Sequence, residues 1–133
     1  MMAESLYEAL GGEAPVTAIS HAFYDEMELH EPALARLHPP FDGTIPAKAR
    51  ADFADFLIFW TGGPKQYLER RGHPRLGMRH AHLPIDAAMR DAWLRCMTIA
   101  VAQSVPAGPG PEALIARMAE VAAFLQNVGP SDG

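Results

Sequence analysis

The chain holds one cysteine, Cys96, in 133 residues, so it has neither an internal disulfide nor a zinc site built on paired thiolates. Flanked by Arg95 and Met97 in an apolar-periodic run, that thiol reads as a small buried hydrophobe rather than a redox centre. Long apolar runs are missing too. No stretch reaches the length of a membrane span, and Met1-Met2-Ala3-Glu4-Ser5 lacks the basic-then-apolar order of a secretory leader. A chain without a membrane span and located in the cytoplasm is therefore expected. Positive charge is scarce: the formal net charge is −5 and the pI is near 5.6, whereas nucleic-acid binders carry broad basic surfaces. Nowhere do apolar and polar residues alternate in the two-residue rhythm of a strand, and no internal repeat occurs, which leaves an all-α chain.

What is present suits one folded domain over residues 1–133, with about 129–133 as a flexible tail. Apolar residues make up 49% and charged residues 20%, a balance that buries a core and leaves space to enclose a flat cofactor. Ser5-Leu6-Tyr7-Glu8 has capping-box spacing, and Gly11-Gly12 stops that first short helix. Pro15 suits a first helical position, after which Val16, Ile19, Phe23 and Met27 recur at helical spacing to about His30. A turn over Pro32 to Leu37 leads into the loop His38-Pro39-Pro40-Phe41-Asp42-Gly43. From Pro46 to Trp60 the residues Ala49, Phe53, Phe56, Leu57 and Trp60 share one face. An aromatic stripe of that kind is more often plain core than a cofactor wall. After Gly62-Gly63-Pro64 comes a short helix with Tyr67 and Leu68. Asp86 then caps a long helix whose inner face is Met89, Trp93, Cys96, Met97, Ala100 and Val101. Val105 to Pro111 reads as a linker, and a last helix runs from Glu112 to about Asn127 with Leu114, Met118, Val121, Ala122 and Leu125 inward.

Chemistry concentrates between Gly72 and Ile85. His73, His80 and His82 stand there beside Arg75, Arg79 and the apolar Leu76, Met78 and Leu83, in a stretch too broken by Pro and Gly for a core helix. A neutral imidazole is the commonest protein ligand for a transition metal, and one axial His often holds haem iron. Arginines alongside can pair with the carboxylates of a bound group. His80 and His82 compete for the inward position, and spacing alone does not separate them. The ordinary fate of a loop histidine is solvation, which is the reading for His21 and His30. A three-histidine zinc site is disfavoured, since the spacing is not His-x-x-x-His and no carboxylate ligand stands beside it. Tyr24 and Trp93 form a second pair of interest. Each, if buried, needs an acceptor. The bland outcome is a backbone carbonyl for both, and the functional one is a pair of donors aimed at a bound, partly negative oxygen. His38 is either a third polar member or a surface residue ahead of Pro39.

Phe23-Tyr24, Trp60-Thr61-Gly62-Gly63-Pro64, Gly72-His73-Pro74-Arg75-Leu76, Met78-Arg79-His80-Ala81 and Asp91-Ala92-Trp93-Leu94-Arg95-Cys96-Met97 together resemble the truncated haemoglobins of the second group, the O-type branch. The resemblance runs from Leu6 to about Leu125. It implies a truncated globin fold, a two-over-two helical sandwich around a b-type haem. It makes His80 the proximal iron ligand, removing the tie with His82, and puts Tyr24, His38, Ala49, Phe53 and Trp93 on the side where ligand binds. Phe53, Phe56, Leu57, Met78, Trp93 and Met97 become haem contacts, with Arg79 and Tyr67 candidates for the propionates. Two departures stand out. His38 occupies a position where the family often has Tyr or Phe, and the Pro39 to Pro46 loop is a few residues longer than in close relatives.

The implied function is binding of dioxygen, and of CO and NO, for sensing or storage by a monomer or homodimer. The alternative is a haem redox enzyme acting on peroxide or nitric oxide with electrons from a reductase partner.

Overall fold

A computed structural model describes residues 4–65, 69 and 85–126. Six helices lie among them: α1 (Leu6–Ala9), α2 (Glu13–His30), α3 (Pro32–Ala35), α4 (Ala47–Trp60), α5 (Ala87–Ser104) and α6 (Pro109–Leu125). No strand occurs among the described residues, and no helix there is long and apolar enough to cross a membrane.

The helix ends follow from local chemistry. Ser5 Oγ accepts from Glu8 N–H and donates to Glu8 Oε1, both at 3.1 Å, so the serine caps the first turn as Ser-x-x-Glu predicts and the glutamate holds the serine hydroxyl. Asp86 Oδ1 accepts from Met89 N–H at 2.8 Å and starts α5. Two boundaries differ from the sequence reading. α2 begins at Glu13, not Pro15, because Gly12 turns the chain at φ +90° immediately before it. α6 begins at Pro109, so the expected Val105–Pro111 linker is shorter by three residues. Both Pro109 and Pro111 sit in the first helical turn, where a missing N–H costs nothing.

α2 is the central element. It packs against α5 on one side and α4 on the other, while α5 packs on α6 and α1 also rests on α6. Its stripe of Val16, Ile19, Phe23 and Met27 is at most 1% exposed, and each side chain so buried contributes about 1.5–3 kcal/mol. α4 and α1 meet closely at Gly63. A Cβ there would come within 2.7 Å of the Tyr7 ring and 2.8 Å of the Ile58 carbonyl oxygen, so only glycine fits.

Candidate functional site

A cavity of about 540 Å³ opens between α2, α4, α5, α6 and the loop after α3, a size suited to a small organic ligand or cofactor. Helical spacing builds its walls. Ala49, Phe53, Phe56 and Trp60 descend one face of α4; Met89 and Trp93 project from α5; Met118, Val121, Ala122 and Leu125 come from α6. Tyr24 closes it from α2, and Leu34, Leu37, His38, Pro39 and Phe41 from the α3 corner. The aromatic rings form one contiguous set. Phe53 and Phe56 stack with centroids 6.1 Å apart, Phe56 and Trp60 at 6.2 Å, and Phe23 supports both Phe53 (5.3 Å) and Trp93 (5.4 Å) from behind.

The polar groups on this apolar wall are few. Tyr24 is 7% exposed. Among the described residues neither its hydroxyl nor the Trp93 indole N–H makes a hydrogen bond, so no described backbone carbonyl takes either donor. Two cavity-wall donors without an acceptor among the described residues are costly unless another group, such as a ligand, satisfies them. Burial holds the Tyr24 phenol far above the usual tyrosine range, with Asp52 raising it further and Arg50 opposing; the hydroxyl stays a neutral donor. His38 Nδ1 lies 3.1 Å from the Leu34 carbonyl oxygen, and its ring is on the cavity wall, not turned to solvent as the alternative had it.

The same tyrosine is bordered by a half-buried guanidinium. Arg50 on α4 is 13% exposed at its side chain. It donates from Nη1 to Asp25 Oδ1 (2.7 Å) and the His21 carbonyl (3.1 Å), from Nη2 to Glu28 Oε1 (2.8 Å), and from Nε to the Ile45 carbonyl (3.1 Å). Its guanidinium carbon is 6.0 Å from the Tyr24 ring centroid.

Several expectations sort differently. Tyr24, His38, Ala49, Phe53, Phe56 and Trp93 are brought together on the wall. Leu57 and Met97, expected as cofactor contacts, are 1% and 0% exposed and are not wall residues: they pack in the core behind it. Asp52, also from α4, is on the wall and pairs with Lys48 at 2.9 Å. Tyr67, Met78, Arg79 and His80, with His73 and His82, lie outside the described residues, as does the 129–133 tail. Cys96 is buried, and burial, with Glu31 and Glu26, pushes its thiol up to about 11, which keeps it unreactive. Among the described residues no group of His, Cys, Asp and Glu could hold a metal ion.

Arg90 and the α6 residues were not singled out as site residues in the sequence. Arg90 lines the cavity and donates from Nη1 to Gln126 Oε1 at 2.7 Å. A stripe such as Met118, Val121, Ala122 and Leu125 has the same spacing whether it faces a neighbouring helix or a hollow.

Residues 5–127 match the family model described as bacterial-like globin. A group 2 truncated haemoglobin of Bacillus subtilis is 34% identical over 121 residues, covering 91% of this chain and 87% of the relative. The group II 2-on-2 haemoglobin of Agrobacterium tumefaciens superposes with a TM-score of 0.85 at 34% identity, over 96% of this chain and 97% of its own. A truncated oxygen-avid haemoglobin from Bacillus subtilis superposes with a TM-score of 0.76 at 30% identity, over 93% of this chain and 100% of that one.

Proposed function

The chain belongs to the group II truncated haemoglobins, two-over-two helical globins whose cofactor is haem b, and from that premise we propose that it binds dioxygen, and also CO and NO, and retains them strongly. One observation carries the reading: Tyr24 and Trp93, both on the wall of an apolar cavity, have no hydrogen-bond acceptor among the described residues for the hydroxyl and the indole N–H. An apolar, aromatic-lined hollow also fits the faces of a porphyrin.

Haem, when bound, would supply an iron able to take a diatomic gas. The chain does the rest. His80 would be the protein ligand to the iron, Arg79 and Tyr67 would be the candidates to pair with its carboxylates, and Met78 would be a haem contact. Phe53, Phe56 and Trp93, on the cavity wall, would flank the group, while Leu57 and Met97 are packed in the core behind that wall. The small Ala49 side chain leaves room for the gas, and His38 adds a polar edge. Tyr24 and Trp93 would be the donors to a bound, partly negative gas. Each such bond contributes about 1.5–3 kcal/mol, and about 1.4 kcal/mol is tenfold in an equilibrium constant. Slow release suits sensing or storage better than bulk delivery, and the similarity to the oxygen-avid haemoglobin of Bacillus subtilis supports this direction.

The deciding experiment is the absorption spectrum of the purified, haem-loaded chain, oxidised, reduced and with CO, beside His80→Gly. A five-coordinate histidine-ligated ferrous spectrum is expected, lost in the variant and restored by free imidazole. An unchanged spectrum in His80→Gly overturns the assignment.

The Asp52 carboxylate on the cavity wall favours a second reading, reduction of peroxide or conversion of nitric oxide with oxygen to nitrate. Reduction of peroxide to two waters takes two electrons and two protons, and joining nitric oxide to oxygen as nitrate takes one electron, in each case from an external reductase or a small organic reductant. Peroxide turnover above that of free haemin, lowered by Asp52→Asn, would support it.

A further inference from the structure

We infer that Arg50 is a positioning residue for the gas-binding pocket: it fixes α4 against α2 at the level of Tyr24 and thereby aims the tyrosine hydroxyl. This rests on Tyr24 being a donor to the gas. Arg50 immediately follows Ala49 and stands three residues before Phe53, so any shift of its backbone moves both wall residues. Its side-chain partners on α2 are the His21 carbonyl, Asp25 and Glu28, which surround Tyr24 within one helical turn on each side. The backbone is tied as well, since Ser20 Oγ donates to the Arg50 carbonyl at 2.7 Å. Glu28 closes the arrangement by accepting from Ile45 N–H through its other oxygen at 2.6 Å. Thus one guanidinium joins α2, α4 and the loop leading into α4, with the Tyr24 ring beneath it. Its planar fork serves several acceptors at once, which a lysine ammonium cannot reproduce.

A clamp that merely stabilised the fold would lower the melting temperature and leave the pocket's chemistry unchanged. The test therefore reads the pocket. Oxygen dissociation and the C–O stretching frequency of the CO complex are measured on the haem-loaded full chain for Arg50→Met, Arg50→Lys, Tyr24→Phe and the Arg50→Met/Tyr24→Phe double variant. Arg50→Met should speed oxygen dissociation about threefold to tenfold and move the C–O stretch toward the Tyr24→Phe value, with Arg50→Lys intermediate. In the Tyr24→Phe background the same change should add less than about 1.5-fold, because the donor it aims is gone. Wild-type rate and stretch in Arg50→Met, or effects that multiply in full in the double variant, overturn the inference. Should Arg50→Met not fold, the Asp25→Asn/Glu28→Gln variant keeps the arginine and weakens its hold. It should speed dissociation about twofold, and an unchanged rate overturns the inference. No change in Tyr24→Phe alone overturns both the donor role of Tyr24 and this inference, whereas a change there without one in Arg50→Met overturns only the latter.

Discussion

The His38 ring meets the Tyr24 ring edge-on, with centroids 5.8 Å apart and planes at 82°, and the same imidazole reaches the Leu34 carbonyl through Nδ1 at 3.1 Å. His38 is thus a brace between the α3 corner and the buried tyrosine. Replacing it by phenylalanine keeps the ring contact and leaves the carbonyl without this partner. His38→Phe should destabilise the chain by about 1 kcal/mol in urea titration. Oxygen dissociation should change less than in Tyr24→Phe.

Tyr24→Phe and Trp93→Phe each remove a donor from a cavity-wall residue, one that has no hydrogen-bond acceptor among the described residues. Each should raise the oxygen dissociation rate about tenfold or more, from a bond of about 1.5–3 kcal/mol to a charged acceptor. Stopped-flow displacement of oxygen by CO checks this, and rates equal to wild type would remove both residues from the proposed role.

Alkaline pH tests the Tyr24 environment separately. The folded state raises this phenol above its ordinary value near 10. Below that value both folded and unfolded chains keep the proton, and the contribution to stability is full. Above it the unfolded chain loses the proton first, so stability falls as pH rises. The wild type should therefore lose stability above pH 10 more steeply than Tyr24→Phe. Equal slopes in denaturant titrations across that range would contradict the burial of the hydroxyl.

Gly63 and Gly108 make a contrasting pair. A Cβ at Gly63 meets Tyr7 and the Ile58 carbonyl below 3.0 Å, while one at Gly108 meets nothing within 4 Å. Gly63→Ala should cost about 1–3 kcal/mol through overpacking, whereas Gly108→Ala should stay within about 0.5 kcal/mol. Thermal melts of the two variants decide it.

Much of this was legible in the residues themselves. The Ser5–Glu8 and Asp86 caps and the 3.6-residue stripes of α2, α4 and α5 are local signals, and the structure contains them where the spacing puts them. Tyr24 and Trp93 could be named because a buried donor must find an acceptor. What could not be read is non-local. Leu57 and Phe56 are neighbours on one helical face, yet one faces the core and the other the hollow. Asp52 reaches the wall only because of how α4 is rotated, and the many partners of Arg50 come from residues 5 to 29 positions away. Pro109 was misplaced for another reason, since prolines in a first helical turn resemble prolines in a loop.

The hollow between α4, α5 and α6 occupies volume that in an ordinary bundle would be interior side chains, and its lining is mostly hydrocarbon. A porphyrin seated there completes the interior as well as doing chemistry. Its binding free energy is then shared with folding, growing with the ratio of free haem to its dissociation constant. A cell short of haem would consequently hold less of the protein, as proteases remove molecules that open more often. Supply of the pigment would thus govern how much of the globin survives.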